Sequence, residues 1–162
     1  MAANKKPRKQ YKPKRNLVNP VGFVLEGLVR VKEHNSILLN LKIRNHASMS
    51  QLTKGLATHK DIDELISMTN ITEALYRLGF GTEYKDVVKG GLESLRAVGR
   101  RGAESGRFVL KAAEMHALNE VMDLHDAQMD VITVNDMEKA IALVNKEFKD
   151  GKMTPITEAA HA

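Results

Sequence analysis

Two groups of residues in this chain have types and spacings suited to gripping an anion. The first lies at the N-terminus. Lys5, Lys6, Arg8, Lys9, Lys12, Lys14 and Arg15 crowd into the opening stretch with no acid among them, and Tyr11 sits in their midst. Clustered Lys and Arg displace the counterions condensed on a phosphate backbone, and a tyrosine ring can stack on a base. A solubilising tail has the same composition, and so does a nuclear import signal if the host is a eukaryote. The second group is Lys85, Lys89, Arg96 and Arg100. On a helix these four fall within about 60° of one another and form a stripe about 23 Å long. Arg101 and Arg107 continue the charge into a glycine-rich stretch, whose free backbone N–H groups could also meet an anion. Such a stripe suits a second nucleic-acid contact or a docking face for an acidic protein. Its plain alternative is a solvated helix face, and Glu93 beside it weakens the charge.

A third group could hold a metal. His125-Asp126 is the dipeptide of the metal-dependent HD phosphohydrolases, which need further His and Asp ligands from other helices. His46, His59, His116 and Asp136 are available, but no spacing ties them together. On a helix His125 and Asp126 point about 100° apart. His125 therefore reads as a buried structural imidazole with one nitrogen bonded to a neighbour. There is no Glu-x-x-His di-iron motif, no phosphate-binding Walker loop and no Gly-x-Ser-x-Gly nucleophile elbow. The expectation is a protein without enzymatic activity, metal or cofactor.

Composition narrows the field further. The chain has 162 residues, 43% of them apolar and 28% charged, the balance of one globular domain. It contains no cysteine, which excludes disulfides, thiolate metal sites and cysteine nucleophiles. No apolar run is long enough for a membrane span, and Asn19-Pro20 cuts short any signal-peptide core, so a cytoplasmic protein is expected. The net charge of +5 belongs to the arm: without its seven cations, 18 basic residues face 20 acidic ones, a net of −2. Residues 1–18 are expected to be a flexible basic arm, 19–150 a helical domain and 151–162 a flexible tail.

Helices are expected to carry the rest, in an all-α compact bundle of five to six. Asn19-Pro20 opens the first, near 20–32, with Val21, Val24, Leu25, Leu28 and Val31 on one side. Ile37, Leu38, Leu41, Met49, Leu52 and Leu56 define a second near 36–56, and Asn45 inside that arc reads as a core amide bonded to a neighbouring helix. Thr58 with Asp61 forms a capping box for a third, which carries Ile62, Leu65, Ile66, Thr69, Leu75 and Leu78 inward and stops at Gly79. The fourth runs from Thr82 to about 99, with Tyr84, Val87, Val88, Leu92, Leu95 and Val98 opposite the cationic stripe. Gly99 to Gly106 is expected to be a long loop, and Phe108-Val109-Leu110 returns the chain to the core. A fifth helix spans roughly 112–131. There Met115, Met122 and Met129 alternate with Leu118, His125 and Ile132 in an a/d heptad pattern. That seam suits an intramolecular helix pair or a homodimer, and a core role is favoured over a binding groove. Glu120, Asp123, Asp126 and Asp130 line its other face as an acidic counterpart to the cationic fourth helix. Thr133 with Asp136 caps a sixth helix near 134–149, expected to bury Met137, Ile141, Val144 and Phe148 and to end at Asp150-Gly151.

The strings RAVGRRGAESGRFVL and ALNEVMDLHDAQMDVITVNDMEKA, with KKPRKQYKPKR and NPVGFVLEGL before them, resemble a group of small proteins encoded in betaproteobacterial genomes, phages and prophages. The resemblance covers about residues 8–155. It implies a bacterial or phage cytoplasm and a mobile-element setting, and carries over no activity, cofactor or site. It also makes nuclear import less apt for the arm. The leading function is then an accessory protein that binds nucleic acid, DNA or RNA, largely non-specifically through the arm, with the Lys85–Arg107 face assisting. The alternative is a protein-interaction module, for example a phage inhibitor of a host defence or replication protein.

Overall fold

The computed structural model describes Leu25 and residues 27–151. The arm, the start of the first expected helix and the last eleven residues lie outside the described residues. Five α-helices follow one another: α1 (Asn35–Thr53), α2 (His59–Arg77), α3 (Lys85–Ser105), α4 (Ala112–Val131) and α5 (Val134–Lys149). No β-strand occurs among the described residues, so the all-α expectation holds.

Local chemistry starts the helices where the sequence says it should. Thr58 and Thr133 are N-caps of α2 and α5, and each exchanges hydrogen bonds with an acid three residues on. The Thr58 N–H and hydroxyl both donate to Asp61, at 2.8 and 2.7 Å. These bonds, the backbone N–H first, hold the Asp61 carboxyl below its ordinary value. Gly79 and Gly106 take up left-handed conformations that end α2 and α3 at no steric cost.

The first expected helix ends earlier than its periodicity suggests. Leu25, Gly27 and Leu28 are helical, but Leu25 and Leu28 are exposed. Helix gives way before Val31, whose N–H donates to Ile132 O at 3.0 Å. Val134 N–H donates to Val29 O at 2.9 Å, so an isolated antiparallel bridge staples this segment to the α4–α5 junction.

The expected long loop at Gly99–Gly106 is instead helix, since α3 runs unbroken to Ser105. Gly91, Gly99 and Gly102 are all buried. A Cβ on Gly91 would overlap Val121 of α4 and lie 3.2 Å from its Cβ. A Cβ on Gly102 would overlap the Phe108 ring. Gly91 and Gly102 let these side chains pack directly on α3, and the contacts offset the entropic cost of about 1 kcal/mol that each glycine carries in a helix.

The core divides into two apolar clusters with a polar layer between them. Met49 and Leu52 of α1, Ile62, Leu65 and Met68 of α2, Leu95 and Val98 of α3, and Leu118, Val121 and Met122 of α4 belong to the first, with Phe108. Leu38, Ala74, Leu75, Met129, Ile132 and Ala140 belong to the second, with Val31. Asn45 on α1, Thr69 and Thr72 on α2, and His125 and Gln128 on α4 are also buried. On each of these helices they fall, in chain order, between the residues of one cluster and those of the other.

Three helices bury different residues from those expected. On α5 the fully buried residue is Ala140; Met137 and Val144 are half-buried, while Ile141 and Phe148 are exposed. The helix is turned so that Leu143 and Glu147 face inward too, and Glu147 reaches Arg77 of α2. Leu56 also stays outside, because α1 ends at Thr53, and Leu78, expected inward, is exposed because α2 ends at Arg77.

Candidate nucleic-acid interface

Burying one side of α3 necessarily turns its other side to solvent. Val88, Leu95 and Val98 are buried and Val87 and Leu92 half-buried, whereas Tyr84, expected beside them, is exposed. Opposite them Lys85, Lys89, Arg96 and Arg100 are exposed, as is Arg107 beyond the helix end. The stripe read from the sequence therefore exists on the surface. It is edged by acids: Asp86, Glu93 and Glu104 are exposed nearby in helical position, and Lys89 Nζ lies 3.8 Å from Glu93 Oε1. An exposed pair of this kind contributes a few tenths of a kcal/mol and leaves the lysine able to turn to another anion.

Arg101 does not belong to this surface. Its guanidinium forks onto both oxygens of Glu114 in the first turn of α4, with Nη1–Oε1 at 2.7 Å, and donates to Val109 O at 2.8 Å. Burial pushes the Glu114 carboxyl up, but the Arg101 bonds and the Lys111 N–H outweigh it and hold that carboxyl below its ordinary value. Arg101 clamps the α3–α4 connection. The backbone N–H groups expected to be free around it are spent within the helix. Arg101→Ala should therefore destabilise the domain by about 1–3 kcal/mol, because it strands Glu114 in a half-buried position. Urea denaturation checks the loss, and binding to polyanions at fixed salt should stay nearly unchanged.

The acidic face of α4 does not meet the cationic face of α3. Asp130 Oδ1 lies 3.4 Å from Lys42 Nζ of α1, and Asp126 Oδ2 lies 3.0 Å from His46 Nε2. Asp126 thus points to α1 while His125 points inward, as helical geometry requires. Of the residues nominated for a metal, His46 and Asp126 meet as this pair, and the others lie apart from it or, like His125, point away from it. His59 packs edge-on against the Phe108 ring, His116 lies 3.6 Å from Glu120, and Asp136 caps α5. Among the described residues no three His, Asp or Glu side chains gather closely enough to hold a metal.

The heptad seam of α4 is core. Leu118, Met122, His125, Met129 and Ile132 are buried and Met115 half-buried. The seam is satisfied within the chain by α1, α2, α3 and α5. His125 accordingly has its Nδ1 at 3.0 Å from Thr72 Oγ1, the expected single bond to a neighbour. Asn45 is buried as expected, but its Nδ2 has no hydrogen-bond partner among the described residues.

Of the residues nominated for nucleic acid, the structure brings together Lys85, Lys89, Arg96 and Arg100, with Arg107 beyond the end of their helix, and withdraws Arg101. Lys5, Lys6, Arg8, Lys9, Tyr11, Lys12, Lys14 and Arg15 lie outside the described residues. No helix of the described residues is long and apolar enough to cross a membrane. No family model, curated protein or solved structure matches this chain.

Proposed function

We propose that this chain is a small, non-enzymatic accessory protein of a phage or other bacterial mobile element, and that it binds nucleic acid largely without sequence preference. The arm of Lys5, Lys6, Arg8, Lys9, Lys12, Lys14 and Arg15 supplies most of the affinity, Tyr11 stacks on a base, and α3 assists. The observation that carries the reading is the exposed row Lys85, Lys89, Arg96 and Arg100, extended by Arg107, on a domain whose overall charge, this row included, is nearly balanced. Two separate cationic elements on one small chain suit a long polyanion.

Counterion release makes the reading measurable. If all seven arm cations reach duplex phosphates, log affinity should fall against log salt with a slope near −6, from about −0.9 per contact. Deleting residues 1–16 should remove most of that slope and leave helical content and melting temperature nearly unchanged. Lys89→Glu with Arg96→Glu should remove about two units of slope. Fluorescence titrations with DNA and RNA between about 50 and 200 mM salt read all three. Full-length protein with no salt-sensitive binding at the lower salt would defeat the proposal.

The second reading is a module that docks a host protein, such as a phage inhibitor of a defence or replication protein. It is supported by Phe148 and Ile141 on α5, apolar side chains that are exposed among the described residues. Protein partners retained in a pull-down after nuclease treatment would favour it.

A further inference from the structure

The polar layer between the two apolar clusters has an arrangement that depends on the charge of one ring. His125 is 2% exposed. The Thr72 hydroxyl donates to Met68 O at 2.9 Å, within its own helix, so its one hydrogen is spent. The Oγ1 lone pair then accepts from His125 Nδ1–H at 3.0 Å. This fixes the neutral tautomer with the proton on Nδ1, and Nε2 keeps a lone pair with no partner among the described residues. Gln128, one turn on, donates from Nε2 to Thr72 O at 3.2 Å and to Phe80 O at 2.9 Å. His125 and Gln128 therefore both fasten α4 to α2 through Thr72.

A second proton on the ring would sit on Nε2. It would place a buried N–H, and a full positive charge, where no acceptor is bonded to Nε2; Gln128 Oε1, one turn on, is a buried acceptor without a partner among the described residues, but it makes no bond to the ring. We propose that this layer is an acid-sensitive joint: it couples the two apolar clusters only while His125 is neutral, and protonation of the ring parts α4 from α2. Burial is the main cause that lowers the His125 ring from 6.5 to about 4. Asp126 on the same helix pulls the other way, while Lys42 and His46 on α1 add to the effect of burial. From α2 the contact is the Thr72 hydroxyl, which does not titrate. Asp126 cannot rescue the charge directly, since it is turned toward Lys42 and His46.

A folded value below the unfolded one means the stabilisation is complete above pH 6.5 and is lost as pH falls from there toward 4. The unfolding constant should rise on the order of 100-fold by about pH 4 from this ring alone. The neutral variant His125→Gln isolates it, because the carboxylates titrate alike in both proteins. Urea denaturation from about pH 7.5 to 4 should show the wild type losing stability relative to His125→Gln, with protection of the α4 amides falling over the same interval. Nuclear magnetic resonance of the wild-type imidazoles supplies a readout that survives a variant that fails to fold. One ring should hold the Nδ1–H tautomer and stay neutral for as long as the chain is folded. Parallel pH profiles for the two proteins, or a wild-type chain in which every ring titrates near its ordinary value while folded, would overturn the proposal.

Discussion

Met122→Asp should unfold the domain at neutral pH. Met122 is 5% exposed and sits in the first apolar cluster among Leu52, Leu65, Met68, Leu95 and Leu118. An aspartate there finds no cation, since the nearby polar layer holds only neutral groups. A buried unpaired carboxylate costs several kcal/mol even after its pKa rises to discharge it. A domain of this size has about 5–15 kcal/mol of stability in total. Circular dichroism should show loss of most helix, or a melting temperature lowered by tens of degrees. Met122→Leu conserves volume and should cost less than about 1.5 kcal/mol. An unchanged melting temperature for Met122→Asp would mean that the α4 seam opens to solvent, and would recast it as a binding groove.

The two adjacent glycines of α3 should respond to alanine with opposite signs. A Cβ on Gly90 meets Ala117 Cβ at 3.9 Å, ordinary contact distance. Gly90→Ala should stabilise by about 0.5–1 kcal/mol, the usual gain from removing glycine from a helix interior. A Cβ on Gly91 strikes Val121 instead, and Val121 is fully buried on the facing helix. Gly91→Ala must spread α3 from α4 and should cost about 1–3 kcal/mol net. Larger side chains at that position should be worse. Val121→Ala in the Gly91→Ala background should recover part of the loss, a coupling that a double-mutant cycle measures. Equal effects at the two glycines would mean that α3 and α4 do not touch there.

Much of this architecture was legible from residue types and spacing. The capping boxes at Thr58 and Thr133 start their helices by satisfying backbone N–H groups locally, so no distant residue is needed to place them. The bounds of α5 follow from such a signal together with its periodicity, and α4 follows from its heptad pattern. The exposed stripe on α3 was equally legible, because helical geometry alone puts Lys85, Lys89, Arg96 and Arg100 on one side. The buried, singly bonded His125 follows from its place in the heptad.

Tertiary packing decided the rest. A glycine-rich stretch reads as loop when each residue is weighed alone, because helix propensity charges it for lost entropy. Gly91, Gly99 and Gly102 lie within about 80° of one another on a helix, and that shared arc was the sign of a close helix contact. Only Val121 and Phe108, one on the facing helix and one beyond the turn, make the small residues worth keeping there. Arg101 was indistinguishable from Arg100 in the chain. The long-range partner Glu114 turned one into a clamp and left the other on the surface. Periodicity marks an apolar side of α5 but not how far the bundle covers it: Ala140 is buried and Phe148 stays in solvent. The polar layer is likewise a property of three helices at once: Asn45 and His125 read as buried polar residues in their own segments and Thr72 does not, but only the registry of α1, α2 and α4 sets all three between two apolar clusters.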